Sequence, residues 1–182
     1  MKLDAKELRV SEPTEAQLKK IKRRPIYIVL DNVLDTYNIG SIFRLADAVA
    51  ASKVYLCGAS ETPPNTKIAR AAVGCEKWVP WQYAATAAEA ISNIKSQKSK
   101  CKVVAIEQHP KAIDFRKTRY QLLGTSDYAL VFVLGHETTG VSAEALKLCD
   151  EIVEIPMHGV NKSLNVMVSL AVVLYRAIDS LF

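Results

Sequence analysis

Residues 128–140 read YALVFVLGHETTG, seven apolar or aromatic residues broken at once by glycine, histidine and glutamate. The run has the length of a strand and is too short for a helix. With no alternating polar positions, both of its faces must be covered. Four further runs share this character: IYIVL at 26–30, KVYLC at 53–57, KVVAI at 102–106 and EIVEI at 151–155. Helical patterns separate them. Ile39, Ile42, Phe43, Ala46, Val49 and Ala50 recur at helical spacing, 87–95 and 142–148 give two more helices, and a last helix is expected from about Lys162 to the C-terminus. Strands alternating with helices predict an α/β fold, a parallel sheet with helices on both faces.

A chain of 182 residues suits one domain and buries roughly 70% of its unfolded surface. Its 49% hydrophobic and 24% charged residues are near the globular average, which argues against disorder, and its apolar runs fall well short of a membrane span. The opening MKLDAKELRV does not resemble a secretory signal, so a cytoplasmic location is expected. Cys57, Cys75, Cys101 and Cys149 are widely spaced with no CxxC, a pattern of buried free thiols.

The net charge of +5 permits an anionic partner without specifying one. Its densest cluster is Lys19, Lys20, Lys22, Arg23 and Arg24, immediately before the first strand. Two readings stand open: a phosphate-contacting segment, or a solvated helix end where cations suit the macrodipole. Residues 4–23 read as short helices broken near Ser11–Pro13 and preceding the core, so the chain divides into a basic helical extension at 1–24 and a domain at 25–182. Residues 58–70 and 107–119 read as loops.

In parallel α/β sheets ligands bind beyond the carboxyl ends of the strands. Here those ends carry DNVLDTYNIGSIFR, GHETTG and PMHGVNKSLN, each with glycine and fixed polar groups. No GxGxxG, GxxxxGK[ST] or GxSxG is present, which argues against a dinucleotide enzyme, an NTPase and a serine hydrolase. His109, His136 and His158 lack cysteines or carboxylates at ligand spacing, so no metal is expected.

Asn38-Ile39-Gly40-Ser41-Ile42-Phe43-Arg44, Leu134–Gly140 and Ile155-Pro156-Met157 followed by Ser163-Leu164-Asn165-Val166 resemble, in order, the three motifs of the SpoU or TrmH-type branch of SPOUT RNA methyltransferases. The similarity covers about residues 25–178. It implies transfer of a methyl group from S-adenosylmethionine to a ribose 2′-hydroxyl of tRNA or rRNA. It also implies a C-terminal deep trefoil knot and a homodimer. Met167 stands where the family usually has a small residue. Relatives often carry a separate RNA-binding domain, whereas this chain shows only the basic segment, which points to tRNA ahead of rRNA.

Carried onto this sequence, the resemblance makes Gly135, Ile155 and Leu164 hold the cofactor through backbone groups, with Leu134, Met157 and Ile106 as walls. It places Asn38, Arg44, Glu137, Ser163 and Asn165 at the reacting end. Without the motifs, Ile155, Met157 and Leu164 read as core, Asn38 as a helix cap and Arg44 as a surface arginine. Ser163 and Asn165 also suit a cap of the last helix. Val166, Leu170, Val173 and Leu174 leave apolar surface for a second subunit to cover. Two other classes are a non-catalytic knotted RNA-binding protein and a small-molecule enzyme on a flavodoxin-like sheet.

Overall fold

The computed structural model describes residues 2–120 and 128–179. Its elements run α1 (Ala5–Val10), α2 (Glu15–Lys20), β1 (Arg24–Asp31), α3 (Thr36–Ala48), β2 (Ala51–Cys57), α4 (Thr66–Ala72), β3 (Trp81–Ala84), α5 (Ala87–Gln97), β4 (Lys100–Ile106), β5 (Ile113–Asp114), β6 (Tyr128–Gly135), α6 (Ala143–Leu146), β7 (Glu151–Glu154) and α7 (Val166–Asp179). The seven strands form one sheet in the order β3-β2-β1-β6-β4-β7-β5, every pair parallel. All five expected apolar runs fall on strands, the last ending at Glu154 with Ile155 beyond it.

The pleat sends alternate side chains to opposite faces. Ile26, Ile28 and Leu30 of β1 pack with Ile39, Ile42 and Phe43 of α3 and with Leu170, Val173 and Leu174 of α7. Val29, Val131 and Val133 point the other way, toward Ala90, Ile91 and Ile94 of α5 and Ala145 of α6. Both faces of the central strands are therefore dry, as their unbroken apolar runs require.

Several expectations change. Residues 58–70 are not all loop: Asn65 accepts hydrogen bonds from the Lys67 and Ile68 N–H groups and starts α4 inside that stretch. Residues 107–119 contain the two-residue β5. The last helix begins at Val166 rather than Lys162, because the Asn165 side chain caps it by accepting from the Met167 and Val168 N–H groups. Ser163 does not share that capping role; its own N–H donates to Asn161.

The N-terminal segment does not simply precede the core. Leu8 packs against the main cluster, and a Cβ built on Gly74 would stand 2.2 Å from the Leu8 carbonyl oxygen. Glycine at 74, with φ 91°, permits that approach. The apolar surface expected to meet a second subunit lies on other residues of α7. Leu170, Val173 and Leu174 are fully buried within one chain, whereas Val168, Val172 and Tyr175 form the exposed side of α7. Among the described residues no helix is long and apolar enough to cross a membrane.

Candidate functional site

Parallel pairing brings the carboxyl ends of the central strands level: Asp31 of β1 is paired with Gly135 of β6, and Ile106 of β4 with Val153 of β7. Beyond them lies a cavity of about 560 Å³. Ile106, Leu134, Gly135, Ile155, Met157 and Leu164 all line it, as do Glu137, Ser163 and Asn165. The size suits an organic cofactor.

Gly135 is needed by geometry. A Cβ there would lie 2.0 Å from the Gly140 carbonyl carbon and 2.2 Å from the Val141 nitrogen. The loop folds back so closely because His136 and Gly140 exchange both backbone hydrogen bonds, at 3.1 and 2.9 Å. His136 serves this turn, its Nδ1 accepting from the Thr138 and Thr139 N–H groups.

The polar residues form one chain of bonds. The Glu137 carboxylate accepts from the N–H groups of Leu34 (3.2 Å) and Asp35 (3.0 Å) and from the Asn38 amide (3.1 Å). The Asn38 oxygen accepts from the Asn165 amide at 2.9 Å. All three motifs meet here. Burial pushes the Glu137 pKa up, but the Asp35 N–H, its own N–H, the Asn38 amide and the Leu34 N–H together hold it below the ordinary carboxylate value.

Arg44 stands apart. It is exposed on α3, beyond the lining of the cavity. Asn38 is 5% exposed and also outside that lining, reaching the site through its two amide bonds. The basic run divides as well. Lys19 pairs with Glu15 at 3.5 Å in solvent, and Lys20 and Lys22 are exposed. Arg23 is partly buried and donates to the Trp78 carbonyl; burial lowers its pKa against the opposing pull of Asp47. Arg24 belongs to β1.

Sequence reasoning missed Glu107. Its carboxylate accepts from the Gln108 and Val141 N–H groups, each at 2.9 Å, and it lines the cavity. A Cβ on Gly140 would lie 2.3 Å from its Oε2. Thus Glu107 fastens the Gly135–Val141 turn to the end of β4. Next to it, the Gln108 amide donates to the Lys162 carbonyl, holding the segment that leads to α7. An acidic residue after an apolar run gave no signal of this.

A parallel sheet whose strand ends open on a cavity of mixed apolar and polar lining, closed by segments from three strand ends, defines the class of α/β protein that binds an organic ligand at its strand carboxyl ends. Residues 25–175 match the SpoU rRNA Methylase family, and the chain belongs to that family. It is 31% identical over 160 residues to the tRNA (guanosine(18)-2′-O)-methyltransferase of Escherichia coli K12, covering 86% of this chain and 64% of that protein. The chain thus spans somewhat less than two thirds of that relative's length. To the enzyme of the same name from Thermus thermophilus it is 33% identical over 172 residues, 91% of this chain and 84% of that one. The crystal structure of an AdoMet-bound rRNA methyltransferase from Sinorhizobium meliloti superposes with a TM-score of 0.76 at 28% identity, over 96% of this chain and 60% of that one.

Proposed function

We propose that the chain transfers a methyl group from S-adenosylmethionine to a ribose 2′-hydroxyl of structured RNA, tRNA ahead of rRNA. The observation that carries this is the Glu137–Asn38–Asn165 chain of hydrogen bonds at the cavity mouth. The tRNA preference follows the two relatives above, both named for tRNA guanosine methylation.

The residues fit the cofactor. Apolar walls from Ile106, Leu134, Ile155, Met157 and Leu164 suit a flat adenine, and the absent Cβ at Gly135 leaves the main chain open to close approach. When bound, S-adenosylmethionine supplies a methyl group on a positively charged sulfur. Glu137, fixed by its donors, orients the Asn38 amide, and Asn38 in turn orients Asn165 beside the cavity. Arg44 cannot readily accept a proton, since guanidinium stays charged. It holds ribose-phosphate oxygens and stabilises charge developing on the attacking oxygen.

The finer architecture is part of this reading. Residues 155–165 return from β7, at the far side of β4, to α7, which packs on α3; Gln108 grips them on the way. That crossing supports a trefoil knot. Exposed Leu164, Val168, Val172 and Tyr175, with Leu34 and Tyr37 near the start of α3, support a homodimer, which sedimentation of the chain tests. A second copy seated there is also the means of bringing an Arg44 to the cavity. The segment 1–24 contributes RNA affinity through its exposed lysines. Four free cysteines suit a cytoplasmic setting.

Incubation with radiolabelled S-adenosylmethionine and total tRNA or rRNA, followed by mapping of 2′-O-methylation, tests the function. Label at ribose supports it. RNA binding without transfer would leave the non-catalytic class standing, and no affinity for S-adenosylhomocysteine would remove the cofactor assignment.

A further inference from the structure

A second cavity, of about 700 Å³, is lined in part by Thr66 and Ala69 of α4 and shares no lining residue with the first. Trp81, Pro63, Pro64 and Leu18 give it flat apolar walls. Glu76 also lines it and is out of place there: it is 7% exposed, and its Oε2 is buried with no hydrogen-bond partner among the described residues. A buried carboxylate oxygen without a donor is costly, and few are retained. At the cavity's edge, the Lys77 ammonium is held by the Glu12 carboxylate.

We propose that this cavity takes a guanine base of the RNA substrate, stacked on the Trp81 indole with its Watson–Crick edge toward Glu76. Unpaired RNA bases are recognised by stacking on aromatic rings and by hydrogen bonds to that edge. Stacking alone tolerates any base. The carboxylate selects among them, because an ionised carboxylate only accepts, and guanine offers it two adjacent donors, the ring N1–H and the exocyclic amino group. Adenine and cytosine offer an amino group flanked by an acceptor nitrogen, and uracil a ring N–H between two carbonyl oxygens. Lys77 sits where a neighbouring phosphate could draw it from Glu12. The pocket rests on the RNA reading above and adds a base-reading site away from the point of methyl transfer.

The test titrates the full chain with guanosine, inosine and uridine 5′-monophosphates by calorimetry and indole fluorescence. Of the two tryptophans Trp78 is 5% exposed, so Trp81 carries the ligand-sensitive signal. The guanosine nucleotide should quench and bind about 10-fold more tightly than the inosine nucleotide, which lacks the amino group, as expected for the loss of one charge-assisted bond. Glu76→Gln should remove that preference, with S-adenosylhomocysteine affinity as the control for folding. Equal affinity for the three nucleotides, or a preference that survives Glu76→Gln, overturns the pocket. So does binding of N-acetyl-lysine amide in place of nucleotide, which would assign the cavity to a protein side chain. Methyl transfer to RNA without nucleotide selectivity sinks the pocket and leaves the transferase reading intact; selectivity without transfer does the reverse.

Discussion

Asn165, at the mouth of α7, donates its amide to the Asn38 oxygen in the first turn of α3 across 2.9 Å, a bond between residues 127 apart in sequence. The same Asn38 donates to Glu137. Its amide is thus used in both directions, as donor to a carboxylate and acceptor from an amide, a pairing no charged or apolar residue reproduces. Asn38→Ala should cost about 1–3 kcal/mol, because it strands partners at a nearly buried position. Asn38→Asp should cost more, since it sets a second carboxylate against Glu137. A double-mutant cycle of Asn38→Ala with Asn165→Ala, read by denaturant unfolding, should show a coupling of about 0.5–3 kcal/mol; additive losses would mean the bond does not form in solution.

The Glu137 carboxyl sets a pH dependence. Its pKa lies below the ordinary 4.5 because the hydrogen bonds it accepts outweigh the effect of burial. A depressed folded pKa contributes stability that is present above the unfolded value and lost as pH falls through the folded one. Glu137→Gln should therefore be less stable than the native chain at neutral pH, with the gap closing below about pH 4.5. Melting temperatures across that range decide it, and a gap that stays constant would show that ionisation plays no part.

These residues also mark how much could be read from sequence. Five strands were legible because covered parallel strands are apolar throughout. β3 was not: it is short, and Gln82 and Tyr83 are exposed on it, as an edge strand allows. α4 hid in a proline-rich stretch whose only clue was Asn65 as a cap. At the site, motif order placed Gly135, Glu137 and Asn165 together, since strand ends converge. It could not show that Glu107 braces the turn or that Arg44 stands outside the cavity of its own chain, because both depend on how segments pack rather than on spacing.

The basic run should separate by residue. Replacing Lys19, Lys20 and Lys22 with glutamine should weaken RNA binding and lower the slope of log affinity against log salt by as much as about 2–3. Arg23→Ala should act mainly on stability, because it breaks the bond to the Trp78 carbonyl inside a partly buried contact. Salt-dependent binding curves and thermal melts measure the two effects. An unchanged slope in the triple variant would make the segment a solvated helix end.

In the proposed mechanism the heaviest demand falls on Arg44. Its planar fork holds two oxygens at once, whereas lysine offers a flexible point charge. Arg44→Ala and Arg44→Lys should each lower kcat by about 100-fold or more, on the scale of a lost oxyanion donor. Cofactor affinity should hardly change, since Arg44 is absent from the cavity lining of its own chain and its proposed role is on the RNA ribose-phosphate rather than on the cofactor. Single-turnover methylation with saturating RNA and cofactor is the measurement. Near-normal turnover by the lysine variant would remove the fork geometry from the mechanism.

Gly135→Ala tests the cavity itself. The added methyl carbon would meet the Gly140 carbonyl carbon at 2.0 Å, the Val141 nitrogen at 2.2 Å and the Gly140 oxygen at 2.3 Å, all main-chain atoms that cannot rotate aside. The turn from His136 to Gly140 must open, which breaks the paired backbone bonds and pulls Val141 from Glu107. Overpacking of this kind costs about 1–3 kcal/mol. S-adenosylhomocysteine affinity should fall by about 10-fold or more, because the same turn forms the cavity wall. Gly159→Ala is the comparison, since a Cβ there meets nothing within 4 Å and its melting temperature should match the native chain. Full cofactor affinity in Gly135→Ala would show that the ligand does not approach this glycine and would move the binding site elsewhere.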